Sequence, residues 1–181
     1  MPDGKTHDRL TIIGAALSVP TWLLFAPPDW RADYPACATL VISTLFSGLM
    51  LSPDLDLDSS IYQRWGPLRF LWWPYQKLIP HRSFLSHSLL IAPMLRVLYF
   101  LVISYVLFRA GSWAINFVTP VNRNAMSDAA FGALVDFPNR HPHHFYAAAI
   151  GTILGTALHV GADAFWTRLQ KANPFRRKRR R

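Results

Sequence analysis

The sequence predicts an all-α integral membrane protein, a bundle of about four membrane helices. Three observations carry that prediction. The 181 residues contain four long apolar stretches. Charged residues make up only 16% of the chain, against roughly 25% in an ordinary soluble domain. Histidines and aspartates recur beside and inside the apolar stretches, where ionisable groups are costly and tend to serve function.

The stretches are Leu10–Ala26, Pro35–Leu51, Ser88–Phe108 and Phe145–Trp166. A helix needs about 20 apolar residues to cross a bilayer. The last two reach that length, and the first two reach it if flanking residues join them. Lys5 and Arg9 precede the first stretch as they would in a signal peptide, but Pro27-Pro28 follows it instead of a small-residue cleavage site, so it is read as the first helix. Residues 1–168 are expected to form one membrane-embedded domain and residues 169–181 a basic tail. The loop at 59–80 interleaves Trp65, Phe70, Trp72, Trp73 and Tyr75 with Arg64, Arg69 and Lys77, a mixture suited to the headgroup level of a bilayer. A short helix is expected near Asp128–Val135.

Charge sets the expected orientation. Four crossings put residues 1–9, 52–87 and 167–181 on one side, with fourteen Lys and Arg against four on the other. Cytoplasmic loops are enriched in these residues, so both termini are placed in the cytoplasm. Net charge is +9, and it falls to +3 without Arg176 to Arg181. The body is therefore no nucleic-acid surface, and the tail is read as an anchor on anionic lipid. One cysteine, Cys37, excludes a disulfide framework and a thiolate zinc site.

The same crossing count gathers unusual polar residues at the cytoplasmic end. His7 opens the first helix. Asp54, Asp56 and Asp58 follow the second. His81 and His87 precede and open the third. His159 and Asp163 lie late in the fourth, four apart and so on one helical face. The alternating aspartates would share one side of an extended chain, and Pro53 favours extension at Ser52. Three carboxylates within five residues repel unless a cation sits among them. Imidazole and carboxylate without thiolate suit a divalent metal, zinc first and manganese or iron otherwise, as one ion or two. Arg96, within the third stretch, is read as reaching to the cytoplasmic side or pairing with Asp163. His141, His143 and His144 look like a second metal motif, but fall on the opposite side and are read as solvated.

These motifs, His7, then SPDLDLD at 52–58, HRSFLSHS at 81–88 and HVGADA at 159–164, resemble bacterial membrane-bound metal-dependent hydrolases of the YdjM kind. They resemble still more closely a bacterial, largely cyanobacterial family labelled only as metal-binding proteins. The resemblance runs from residue 5 to about residue 168. It is similar in ligand pattern to zinc-dependent phospholipase C, which is all-helical. The resemblance implies that His7, Asp54, Asp56, His81, His87, His159 and Asp163 are ligand positions, and that the membrane is a bacterial inner or thylakoid membrane. Asp58 falls where the family pattern varies. Arg82-Ser83-Phe84 stands where relatives often have Arg-Gly, a departure in the local turn.

Three functions compete. The first is hydrolysis of an ester or phosphoester of a lipid-like substrate by metal-activated water, with Asp56 or Asp58 accepting the proton and Arg82 stabilising the developing negative charge. The second is a non-catalytic metal-binding membrane protein, an assembly or structural factor, favoured if protein ligands fill every coordination position. The third, a transporter, ranks last because transport sites sit near the midplane. Expected partners are membrane lipids and an amphiphilic substrate.

Overall fold

The computed structural model describes residues 4–79, 83, 88–118 and 124–172. Among them there is no strand. The chain forms α1 (Gly4–Phe25), the single turn α2 (Pro28–Arg31) and α3 (Tyr34–Met50). A 3-10 turn (Pro53–Asp56) follows, then α4 (Ser60–Arg64), a second 3-10 segment (Gly66–Trp72) and α5 (Trp73–Leu78). Three longer helices follow among the described residues: α6 (Ile91–Val118), α7 (Asn124–Arg140) and α8 (Pro142–Ala172). Among the described residues, four segments are long and apolar enough to cross a membrane: Gly4–Phe25, Tyr34–Asp56, Ile91–Val118 and Pro142–Ala172. The first stretch gains its length at its N-terminus, where Gly4 to Arg9 join to give 22 residues. The third runs on to Val118, and α7 is 17 residues long. The helix expected near residues 128–135 is therefore there and longer than predicted.

Packing is built on small residues. The seam between α3 and α8 is the most extensive contact among the described elements. The two helices run parallel. Near their starts Thr39 Oγ1 meets His144 Nδ1, and in their later turns Ser47 Oγ donates to Thr152 O at 2.7 Å. Added carbons at Gly151 and Gly155 would meet backbone, Leu40 O at 2.5 Å and Thr44 O at 2.7 Å. Only glycine permits such an approach, the small-residue packing by which helices associate in apolar surroundings. Gly161 faces open space and plays no such part. Helix α1 lays a stripe of His7, Thr11, Ala15, Ser18 and Trp22 against this pair.

The loop after α3 is more buried than the sequence suggests. Trp65, Trp72 and Tyr75 are buried with Leu51, Leu55, Ile61 and Leu71, and Tyr99 and Phe100 of α6 pack on them. Trp72 stacks on Phe100 with ring centroids 6.1 Å apart. Only part of the aromatic set faces outward: Phe70 and Trp73 are exposed, with Lys77 Nζ 5.9 Å from the Trp73 ring centroid. The expected interfacial loop is corrected accordingly: it is half core and half surface. Alternation of aromatic and cationic residues does not reveal which aromatics a neighbouring helix will cover.

The C-terminus of α3 is closed by side chains. The last carbonyls of a helix lack partners within it. Here Arg64 Nη1 donates to Leu49 O at 3.0 Å, Trp65 Nε1 donates to Met50 O at 3.0 Å, and Arg96 Nη1 donates to Leu51 O. The chain leaves this capped end through Ser52 in extended conformation, as the residue before Pro53 should.

Candidate metal centre

Each helix delivers its polar group as the end member of a buried stripe. His7 closes the α1 stripe. On α8, Gly151, Gly155 and His159 follow at four-residue intervals, so the imidazole continues the face that packs on α3. Asp163 stands one turn further on. Ser52 and Asp54 arrive from the turn at the end of α3.

These groups meet. The His7 and His159 rings stack with centroids 3.9 Å apart and planes 19° apart. His7 Nε2 lies 3.3 Å from Asp163 Oδ1. His159 Nε2 lies 3.4 Å from Asp54 Oδ2 and 3.6 Å from Asp163 Oδ2. One ligand atom each from His7, His159 and Asp163 lie within 4.8 Å of one another. Both histidines are buried, His159 to 2% exposure.

The donor set fits a divalent cation. His159 Nε2, Asp163 Oδ1 and His7 Nδ1 are buried and make no hydrogen bond, a costly arrangement if nothing else sits there. Ser52 Oγ lies 2.8 Å from His159 Nδ1. In the tautomer with Nδ1–H donating to that hydroxyl, the Nε2 lone pair faces two carboxylates, and a cation between them would turn repulsion into attraction. A tetrahedral ion with bonds of about 2.0–2.1 Å separates its ligand atoms by about 3.3–3.4 Å. The observed spacings of 3.3, 3.4 and 3.6 Å lie near that edge length. Occupying the outer nitrogen of a ligating imidazole with a hydrogen-bond partner is the usual way its tautomer is set.

The three aspartates after α3 do not share a face, which corrects the extended reading. Pro53 starts a 3-10 turn over Pro53–Asp56, anchored by buried Leu55, by Ser59 Oγ on Asp54 O at 2.7 Å and by Gln76 Nε2 on Leu55 O at 3.1 Å. Asp54 turns to His159. Asp56 is buried, with Arg96 and Tyr75 as charge neighbours. Asp58 is exposed and accepts from Gln63 Nε2, so it stands outside the group. Arg96 does not pair with Asp163 or reach outward; it is fully buried and donates to carbonyls. Burial pushes the Tyr75 phenol up to about 12, with Arg96 opposing and Asp56 adding to the rise. Tyr75 is therefore a neutral group at ordinary pH. His81, Arg82 and His87 lie outside the described residues.

The other described histidines sit at the opposite end, and two of them are hydrogen-bonded. His143 Nδ1 lies 2.9 Å from Asp33 Oδ2, and His144 Nδ1 lies 2.8 Å from Thr39 Oγ1. His141 packs on Phe137 with ring centroids 5.4 Å apart. Sequence reasoning missed the roles of Ser52 and Arg96. A serine before Pro-Asp reads as an ordinary turn residue, and a cation in an apolar run gives no sign of which carbonyl it will cap.

Residues 2–173 match the family described as "Uncharacterized metal-binding protein (DUF2227)", and the chain belongs to that family. No curated protein and no solved structure matches it.

Proposed function

We propose that this member of the metal-binding family is a membrane-bound, metal-dependent hydrolase of an ester or phosphoester carried by a lipid-like substrate. The observation that supports it most is the buried meeting of His7, His159, Asp54 and Asp163, with unbonded nitrogen and oxygen atoms at its centre. The resemblance of the four motifs to membrane-bound hydrolases and to the ligand pattern of zinc-dependent phospholipase C points the same way. A bound divalent ion, zinc first by donor chemistry, would supply Lewis acidity toward the ester and a water of lowered pKa.

The chain's own residues have separable parts. Ser52 orients His159. Asp54 and Asp163 hold negative charge against the imidazoles. Asp56 is the proton acceptor in this reading, since Asp58 is turned away to Gln63. His81 and His87 complete the ligand set, and Arg82 stabilises charge on the departing oxygen, both on grounds of sequence. The excess of Lys and Arg on the N-terminal side, fourteen against four, supports a cytoplasmic position for this end and both termini.

A panel of lipid esters and phosphoesters tests the reading with the full chain in vesicles. The expected result is turnover that a chelator abolishes and zinc restores. Asp56→Asn should cut the rate about 10²-fold or more, the usual worth of a general base, while bound metal stays. Absence of turnover by the metal-loaded protein across the panel would contradict it. The non-catalytic alternative would need a fourth protein donor beside His7, His159 and Asp163; Asp54 Oδ2, 3.4 Å from His159 Nε2, is the nearest candidate, and a closed site would leave no position for water. A metal-loaded but inert protein is its expected outcome.

A further inference from the structure

We propose that Arg96 is a positioning residue for the metal centre, fixing from α6 the turn that carries Ser52 and Asp54. The inference rests on the metal-centre reading above and concerns a residue that supplies no ligand atom. Arg96 is completely buried, unusual for a side chain that keeps its charge. Its Nε donates to Ala92 O at 3.1 Å within its own helix, which sets the direction of the guanidinium. Its Nη1 donates to Leu51 O, the residue next to Ser52. Asp56 and Asp54 are its charge neighbours.

Three consequences follow from this placement. A cation at the C-terminus of α3 sits at the negative end of the helix dipole. It secures the carbonyl from which the turn departs, so Ser52 meets His159 and Asp54 reaches the imidazole pair in one fixed geometry. It also offsets carboxylate charge that would otherwise push the turn open before metal arrives. The other two caps on α3 differ in kind: Trp65 is neutral and closes Met50 O, and Arg64 spends its charge on Asp8.

That difference gives the test. Zinc affinity of the full chain in detergent is measured by competition with a chromogenic chelator, beside the melting temperature of the metal-free protein. Removing an outer partner of a metal ligand typically costs 10–100-fold in affinity. Arg96→Met should lose that much while still folded, and Arg96→Lys should recover part of it because charge returns without the two-carbonyl fork. Trp65→Phe, which removes a neutral cap one residue away, should lower the melting temperature and change affinity less than twofold. Wild-type affinity in folded Arg96→Met would overturn the inference, as would an equal loss in Trp65→Phe. Lysine giving no recovery over methionine would also overturn it. If Arg96→Met does not fold, Arg96→Lys decides: a loss of threefold or more supports the inference and unchanged affinity overturns it. Failure of the wild-type chain to bind zinc would instead strike the metal-centre reading itself.

Discussion

The two ends of the α3–α8 seam use the same residue types differently. At the start of the helices, His143 and Asp33 approach to 2.9 Å, His144 and Thr39 to 2.8 Å, and the second Asp33 oxygen accepts from Ala36 N at 3.0 Å. These contacts are at hydrogen-bond length, and Trp30 packs on the His143 ring. At the far end, the closest nitrogen-to-carboxylate distances are 3.3, 3.4 and 3.6 Å, and three buried atoms are left without hydrogen bonds. The first end is a clasp that closes on itself. The second lies beyond the close backbone approach at Gly151 and Gly155, and its groups stand further apart. Histidine and aspartate stand in proximity at both ends; the far end differs in its longer spacings and in the buried His159 Nε2, Asp163 Oδ1 and His7 Nδ1 that make no hydrogen bond.

The sharpest way to break the comparison is to truncate each end in turn. His159→Ala or Asp163→Ala should remove stoichiometric metal without preventing membrane insertion. His143→Ala and Asp33→Ala should leave metal content unchanged. Elemental analysis of the four purified variants checks this, and metal loss from the His143 variant would erase the distinction.

A smaller effect is expected at the hydroxyls that hold the imidazoles. Ser52 and Thr39 each lie 2.8 Å from a histidine Nδ1, at opposite ends. Ser52→Ala should weaken zinc binding by about 10-fold, the lower range for losing an orienting partner, and Thr39→Ala should not weaken it. Chelator competition reads both.

The smallest effect separates the ends by pH. The Ala36 N–H and the His143 ring hold the Asp33 carboxyl below its usual range. A depressed folded-state value means that its contribution to stability is present above the unfolded value, about 3.9, and is lost as pH falls through the folded value. The stability difference between wild type and Asp33→Ala should therefore be present at neutral pH and shrink on acidification below about pH 4. A difference independent of pH would show that the clasp does not depend on that charge.

Much of this was legible in the sequence, for identifiable reasons. Hydropathy and length marked the four long helices, because a segment apolar on most faces has few soluble alternatives. Counting crossings was enough to bring His7, Asp54, His159 and Asp163 to one end, since His7 and Asp54 lie beside helix ends and His159 and Asp163 fall in the later half of α8. The small-residue spacing of Gly151 and Gly155 was available as a signal for the α3–α8 seam. The 3-10 turn was not legible: alternation of Asp54, Asp56 and Asp58 reads as extended chain, and only burial of Leu55 and the Gln76 bonds make the turn the better solution. Nor was the destination of Arg96, which depends on where the start of α6 sits beside the chain leaving α3.

X-ray absorption at the metal edge of the full chain, purified without chelator, tests the central claim most directly. The account predicts a retained divalent ion with nitrogen and oxygen neighbours at about 2.0–2.1 Å and the outer scattering of more than one imidazole. No retained ion, or an ion without imidazole scattering, would contradict it.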